Sequence, residues 1–444
     1  MREGRGIAFG TDGVRGIANE GLMPEDALRL GLAAARLFGG PILIGRDTRL
    51  SGGMLSSSLA SGAASGGANV VDVGVLPTPG IAALAREHGA AAAVVVSASH
   101  NPYPDNGIKF FSGEGRKLPS SAERELQRLA GEPYPARPTR DAIGTISRLD
   151  RPAERYAKSV LGRLRPRVAG VKVLLDCAHG AAYKVVPMAF GELGAELTIV
   201  GDEPTGTNIN EGVGSMHVEK LDTAGHEVTF AFDGDGDRVL AVDEKGRVVD
   251  GDRIVAILAR DLAERDALKG GVVVTVMSNL GFFKAMKGLG IGYEVTPIGD
   301  RHVAEAMARL GVALGGEQSG HVILSEYATT GDGLVTALAV LDVMARSGKP
   351  LSELAEVMDR YPQVLINVPV EDRAVASSET VKEAVMKAED RLGEEGRILL
   401  RPSGTESLVR VMVEHEDASV CREVCEEVAS VVASRSRRGS GARA

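Results

Sequence analysis

Four stretches of this 444-residue chain repeat one order: a short β-branched run, a small polar loop, then a segment with helical periodicity. They are PILIGRDTRLSGGMLSSSLASGAA (41–64), ANVVDVGVLPTPGIAALAREHG (68–89), VKVLLDCAHGAAYKVVPMAFGELGAEL (171–197) and GGVVVTVMSNLGFFKAMKGLG (270–290). Strands alternating with helices of about ten to fifteen residues build βαβ units, hence parallel or mixed sheets with helices on their faces. Sheets of this kind bind ligands beyond the C-terminal ends of their strands. The polar loops of the repeat fall at those ends.

The chain is too long for a single core, so several domains are expected. A Pro- and Gly-rich stretch, GEPYPARPTRDAIG (131–144), precedes a first linker; a hairpin-like stretch runs into a helix near 250; MDRYPQVLINVPV leads to a third boundary. The division is 1–155, 156–252 and 253–367, each α/β, then a small α+β domain over 368–434. Residues 435–444, rich in Arg and Ser, lack an apolar pattern and read as a disordered tail.

A net charge of −9 and the absence of Trp argue against a nucleic-acid partner, which needs a basic face and stacking platforms. No run of 18 apolar residues and no leader-like N-terminal segment occur, so no membrane partner is expected and the location is cytoplasmic. Three cysteines, Cys177, Cys421 and Cys425, form no paired framework and suit a reducing compartment. Cys421 and Cys425 fall four apart in a helical pattern, as free thiols on one face.

In VVVSASHNPYPDNGIKFF (94–111) an apolar run stops at Ser97 and Ser99, followed by His100 and, further on, Lys109. A hydroxyl nucleophile needs a neighbouring base or cation and a shaped loop. A capped turn after a strand explains the same residues, and local chemistry leaves the two serines tied. FGTDGVRG (9–16) and GRDTRLSGG (45–53) add Arg15, Arg46 and Arg49 to loops expected at the same sheet edge.

TFAFDGDGDRVLAVDEKG (229–246) spaces Asp233, Asp235 and Asp237 by two residues. Three acids in an otherwise apolar stretch suit a hard divalent cation, Mg²⁺ or Ca²⁺. A calcium loop of the EF-hand type is disfavoured: Arg238 stands where its Gly is required, and the flanks read as strands. LLRPSGTESLVRVMVE (399–414) sets Arg401, Ser403, Gly404, Thr405 and Arg410 around a tight turn, which makes either a phosphate-sized nest or a plain hairpin. LGGEQSGHVIL (314–324) offers Glu317, Gln318, Ser319 and His321, suited to sugar hydroxyls or to a structural turn.

Taken in order, FGTDGVRG, GRDTRLSG, SASHNPYPDNGIKFF, NINEGVGSMH, AFDGDGDRV, TVMSNLGF, GGEQSGH, TTGDGLV and RPSGTE resemble the α-D-phosphohexomutase superfamily along essentially the whole chain. The resemblance implies four domains around a central cleft, three α/β mixed-sheet domains followed by a smaller α+β C-terminal domain. It makes Ser99 the carrier of a transferable phosphoryl group and Ser97 a supporting hydroxyl. It implies one Mg²⁺ per active site on Asp233, Asp235, Asp237 and an oxygen of phosphorylated Ser99. His100, Lys109 and Arg15 would line the reacting end. Arg238, Glu317, Ser319 and His321 would contact the sugar phosphate, and Arg401, Ser403, Gly404, Thr405 and Arg410 its non-reacting phosphate.

The implied activity moves phosphate between C6 and C1 of a hexosamine phosphate, with glucosamine 1,6-bisphosphate or glucose 1,6-bisphosphate as activator. The Gln318 form of its loop points to glucosamine phosphates. A mutase of glucose and mannose phosphates is the alternative, with a serine-nucleophile metallophosphatase behind it. Monomer and homodimer both stay open. Ser407 stands where Pro is common in the family. Pro297 stands where several relatives carry Lys, with Arg301 or His302 as a substitute cation or as structural residues.

Overall fold

The computed structural model describes residues 7–10, 12–134, 136–403 and 406–440, with side chains as far as 436. The chain forms two compact units. One comprises the chain up to Met277 with Gly290–Val357, and the other Ser278–Leu289 with Met358 onward.

The larger unit holds three sheets. The first has six strands in the order Val14–Ile17, Asp105–Ser112, Ala92–Val96, Ile42–Arg46, Val70–Val75 and Ile146–Arg148. Ala92–Val96, Ile42–Arg46, Val70–Val75 and Ile146–Arg148 run parallel, and Asp105–Ser112 and Val14–Ile17 add antiparallel. Every residue of Ala92–Val96 is buried. That is the pattern of a strand covered on both faces, and it explains the unbroken apolar run.

The second sheet orders Val248–Val249, Val239–Asp243, Val228–Phe232, Lys172–Asp176 and Glu196–Val200. The third orders Tyr293–Thr296, Val272–Thr275, Leu314–Gly316 and Val322–Leu324. Both are mixed, as the βαβ pattern predicts. Three polar loops follow strand ends here: Asp47 after Ile42–Arg46, Ser97 after Ala92–Val96, and Asp233 after Val228–Phe232.

The smaller unit has three antiparallel strands in the order Gln363–Pro369, Leu408–His415 and Gly396–Pro402, with helices Glu379–Leu392 and Ala418–Ser440. Val381, Leu392, Val409, Val411 and Val413 pack with Cys421 and Cys425 in its core. Both thiols are free and buried, and donate to the carbonyls of Val413 and Val411. They share one helix face, as their spacing predicts.

Three expectations need correction. The strand Gln363–Pro369 pairs along its whole length with Leu408–His415, so the last boundary lies ahead of 363 and not at 367/368. The final helix continues to Ser440, into the stretch 435–444 expected to be a disordered tail; residues 441–444 lie outside the described residues. Ser278–Leu289 groups with the C-terminal strands although it follows a strand of the third sheet. Glu414, fully buried, is the reason. It accepts from Arg397 Nε at 2.6 Å, from the Leu280 N–H at 2.8 Å and from Asn279 Nδ2 at 3.2 Å. A buried carboxylate is stable only with such donors.

Candidate active site

Ser99 sits just beyond the buried strand Ala92–Val96 with φ +53°, in the left-handed region. For a residue with a Cβ this conformation costs about 1–2 kcal/mol, so the surroundings must impose it. The Ser99 N–H donates to Ser97 Oγ at 2.9 Å, and Ser97 Oγ donates to Asp47 Oδ2 at 2.6 Å. The carbonyls of Ser99 and Asn101 accept from Arg49 Nη2, both at 2.8 Å, and from Asn210 Nδ2 at 2.9 and 3.1 Å. The side chain is left facing the acidic loop. Ser99 Oγ donates to Asp233 Oδ2 at 2.6 Å, with His100 Nδ1 3.4 Å away. Burial, with Arg238 and Arg15 close by, pulls His100 down to about 4, so its ring is neutral near pH 7.

Asp233, Asp235 and Asp237 are all buried, and their oxygens converge within 4.8 Å. Gly234 makes the approach to the serine loop possible: a Cβ there would lie 2.5 Å from the Ser99 carbonyl oxygen. Burial and the charges of Asp237 and Asp235 push Asp233 well above the ordinary carboxylate range. Burial also raises Asp237, but His321, Lys109 and Arg238 outweigh it and hold that carboxyl below its usual range. Asp235 Oδ1 and Asp237 Oδ1 are buried without a hydrogen-bond partner. Three converging carboxylates with two unmatched oxygens are the donor set of a hard divalent cation, and these residues fit one.

The cations are arranged as a ring. Lys109 Nζ lies 3.0 Å from Asp235 Oδ2 and 2.9 Å from Asp12 Oδ2. Asp12 also meets Lys117 and Arg15, each at 2.5 Å. Lys117 pairs on its other side with Asp300. His321 then closes the circuit, 3.7 Å from Asp300 and 3.5 Å from Asp237. The Gly331 N–H lies 3.1 Å from His321 Nε2; burial disfavours the imidazolium, but the charges of Asp237 and Asp300 outweigh it and raise the proton affinity of His321. His321 is buried beside the acidic loop. Burial disfavours the charge on Lys109, yet Asp12, Asp235 and Asp237 raise its proton affinity above normal.

Sequence reasoning named Lys109, Arg15 and the three acidic-loop aspartates but missed Asp12, Lys117, Asp300, Asn210 and Thr78, whose Oγ1 donates to Asp235 Oδ2 at 2.7 Å. Asp12 and Asn210 lay in motifs already singled out, FGTDGVRG and NINEG. Arg301 is not a free cation near Pro297: it pairs with Glu123 and donates to Ser120 Oγ at 3.0 Å.

The loop 317–321 joins the acidic loop through the Val239 N–H, which donates to the Gly320 carbonyl at 3.1 Å. Glu317 Oε1 accepts from the Gly299 N–H at 3.2 Å. Gln318 Nε2 and Ser319 Oγ are buried with no protein partner. Arg238 completes this side, its Nε 3.8 Å from Asp237 Oδ1.

In the smaller unit, Arg401 and Arg410 are register partners across two antiparallel strands. Partial burial, then the charge of Arg410, lowers the proton affinity of Arg401. Arg410 is paired with Glu406 at 2.9 Å, while Ser403 Oγ accepts from the Glu406 N–H at 3.2 Å. Gly404 and Thr405 lie outside the described residues.

Comparison with known proteins bears on the fold and the family. Residues 6–134, 154–246 and 250–361 match phosphoglucomutase/phosphomannomutase alpha/beta/alpha domains I, II and III, and 365–431 match the C-terminal domain. A phosphoglucosamine mutase of Rubrobacter xylanophilus is 69% identical over 441 residues, covering 98% of this chain and 99% of that protein. A phosphoglucomutase/phosphomannomutase family protein of Burkholderia thailandensis superposes with a TM-score of 0.79 at 24% identity, over 96% of this chain and 97% of that one. The N-acetylphosphoglucosamine mutase of Aspergillus fumigatus, solved with GlcNAc-6P and magnesium, gives 0.73 at 19%, over 98% and 97%. With four matched domains and a near-full-length relative at this identity, the chain belongs to the α-D-phosphohexomutase superfamily of phosphosugar mutases, together with the bacterial phosphoglucosamine mutases.

Proposed function

We propose that this enzyme interconverts glucosamine 6-phosphate and glucosamine 1-phosphate, carrying the transferable phosphoryl group on Ser99 and passing through glucosamine 1,6-bisphosphate. The observation that carries the reading is the 2.6 Å hydrogen bond from Ser99 Oγ to Asp233 within the buried acidic loop. The near-full-length relative named phosphoglucosamine mutase supports the choice of sugar.

Phosphoryl transfer depends on alignment and charge stabilisation more than on covalent help. Asp233, Asp235 and Asp237, with a phosphoryl oxygen on Ser99, would hold one Mg²⁺, which when bound neutralises charge on the group in transit. Lys109, kept cationic by Asp12 and Asp235, supplies fixed positive charge beside the same loop. In the forward half-reaction the sugar C1 hydroxyl takes the phosphoryl group from Ser99, and its proton ends on the Ser99 oxygen. The return half-reaction reverses this with the C6 phosphate. With Asp233 engaged by the cation, the neutral His100 ring, its Nδ1 3.4 Å from Ser99 Oγ, is the acceptor at hand for the Ser99 proton. Glu317, Gln318 and Ser319 offer directional groups to the sugar hydroxyls, and Arg401, Ser403, Gly404, Thr405 and Arg410 take the idle phosphate.

The 1,6-bisphosphates of glucosamine and glucose act as activators in this scheme by recharging Ser99. A cytoplasmic location belongs to the same proposal, supported by three free, buried thiols; among the described residues no helix is long and apolar enough to cross a membrane. The test compares kcat/KM for glucosamine, glucose and mannose phosphates, with Mg²⁺ and a 1,6-bisphosphate present. Glucosamine phosphates are expected to lead. A lead for glucose or mannose phosphates sinks the glucosamine assignment, and hydrolysis in place of isomerisation sinks the mutase.

A further inference from the structure

Arg49 is among the most deeply buried large side chains of the protein, 1% exposed. A guanidinium has five N–H donors and no acceptor, and burial demands a partner for each. All five are matched. Nε donates to Asp47 Oδ2 at 2.8 Å, Nη1 to the carbonyls of Pro102 and Asp105, and Nη2 to the carbonyls of Ser99 and Asn101. Four of the five therefore end on the backbone of one short loop, 99–105. The fifth runs through Asp47 to Ser97 Oγ and on to the Ser99 N–H. Arg49 grips Ser99 from both sides of its peptide unit, at the residue held with positive φ.

The geometry points to Arg49, acting directly and through Asp47 and Ser97, as the positioning residue that sets the Ser99 turn and aims Oγ at Asp233. The inference rests on Ser99 being the phosphoryl carrier. Arg49 touches no reacting atom. A lysine could not replace it, since a single ammonium has three donors from one point and cannot span four carbonyls and a carboxylate.

The experiment compares wild type, Arg49→Lys, Ser97→Val and Ser97→Thr in the mutase assay, reading kcat and KM separately. The Ser97 pair have nearly the same shape and differ in the hydroxyl, and they decide the matter where Arg49→Lys fails to fold. Arg49→Lys and Ser97→Val are expected to lose about 100-fold in kcat, the scale of an ångström of misplacement, with KM within about threefold. Ser97→Thr is expected within about threefold of wild type. Equal kcat in all four proteins overturns the inference. So does a loss confined to KM, or a Ser97→Thr as impaired as Ser97→Val. Peptide mapping of the wild type separates the two readings: no phosphate on Ser99 removes the carrier assignment, whereas phospho-Ser99 with unimpaired variants removes Arg49 alone.

Discussion

Arg401 and Arg410 stand directly opposite each other on neighbouring antiparallel strands, two guanidinium-bearing residues in one register pair. Like charges so placed destabilise a sheet by up to about 1 kcal/mol, and a bound phosphate would turn that cost into binding. Arg401→Ala is therefore expected to act with opposite signs. The substrate-free protein gains about 0.5 kcal/mol in denaturant melts, while KM for the sugar phosphate rises about 10- to 100-fold. A loss of stability together with an unchanged KM would refute the anion site.

Ser99→Ala removes the proposed carrier while leaving the loop's backbone partners in place. Turnover is expected to fall by more than about 1,000-fold, with the protein still folded and the phosphoryl increment gone from its intact mass. Residual mutase activity near wild type would return the choice to the other serine.

Asp235 and Asp237 each leave a buried oxygen without a hydrogen-bond partner, and the proposed Mg²⁺ would take both. Chelation should abolish activity, and added Mg²⁺ should restore it. Asp235→Asn should cost at least about 100-fold in kcat at saturating Mg²⁺, and should weaken Mg²⁺ binding in titration calorimetry. Full activity in a chelated sample would remove the metal from the scheme.

Asp332 tests electrostatics at the start of the helix beside the acidic loop, where the Gly333 N–H donates to the Gly236 carbonyl at 3.1 Å. Its carboxylate caps the helix Gly333–Ser347 and accepts from Tyr156 Oη at 2.6 Å. Burial pushes it up to about 6 despite those hydrogen bonds. A carboxyl whose folded pKa lies above its unfolded value, about 3.9, contributes stability below pH 4 that is lost as pH rises to 6. Relative to Asp332→Asn, the wild type should lose roughly 2–3 kcal/mol across that window. Parallel stability profiles for the two proteins would contradict the assignment.

The motif order alone carries most of the site. Ser99, Lys109 and the three aspartates each sit in a short stretch whose composition is odd for its surroundings, and such oddity is visible locally. The ring through Asp12, Lys117 and Asp300 was not legible, because its partners are separated by about 100 to 200 residues and each alone looks like a surface charge. Arg49 was named as a loop cation, yet its burial depends on carbonyls, which no side-chain pattern reports. The fold class was legible from the βαβ repeat. The membership of 278–289 was not, since a βα unit reads the same whichever sheet its helix joins.

That last feature bears on how the protein can be dissected. Glu414 draws two of its donors from Asn279 and Leu280, far upstream in the chain. A fragment beginning at 358 would keep Arg397 but strand a fully buried carboxylate short of its other partners. The C-terminal unit is thus encoded in two separate pieces, and such a fragment should need a 278–289 peptide, grafted in cis or added in trans, to fold well.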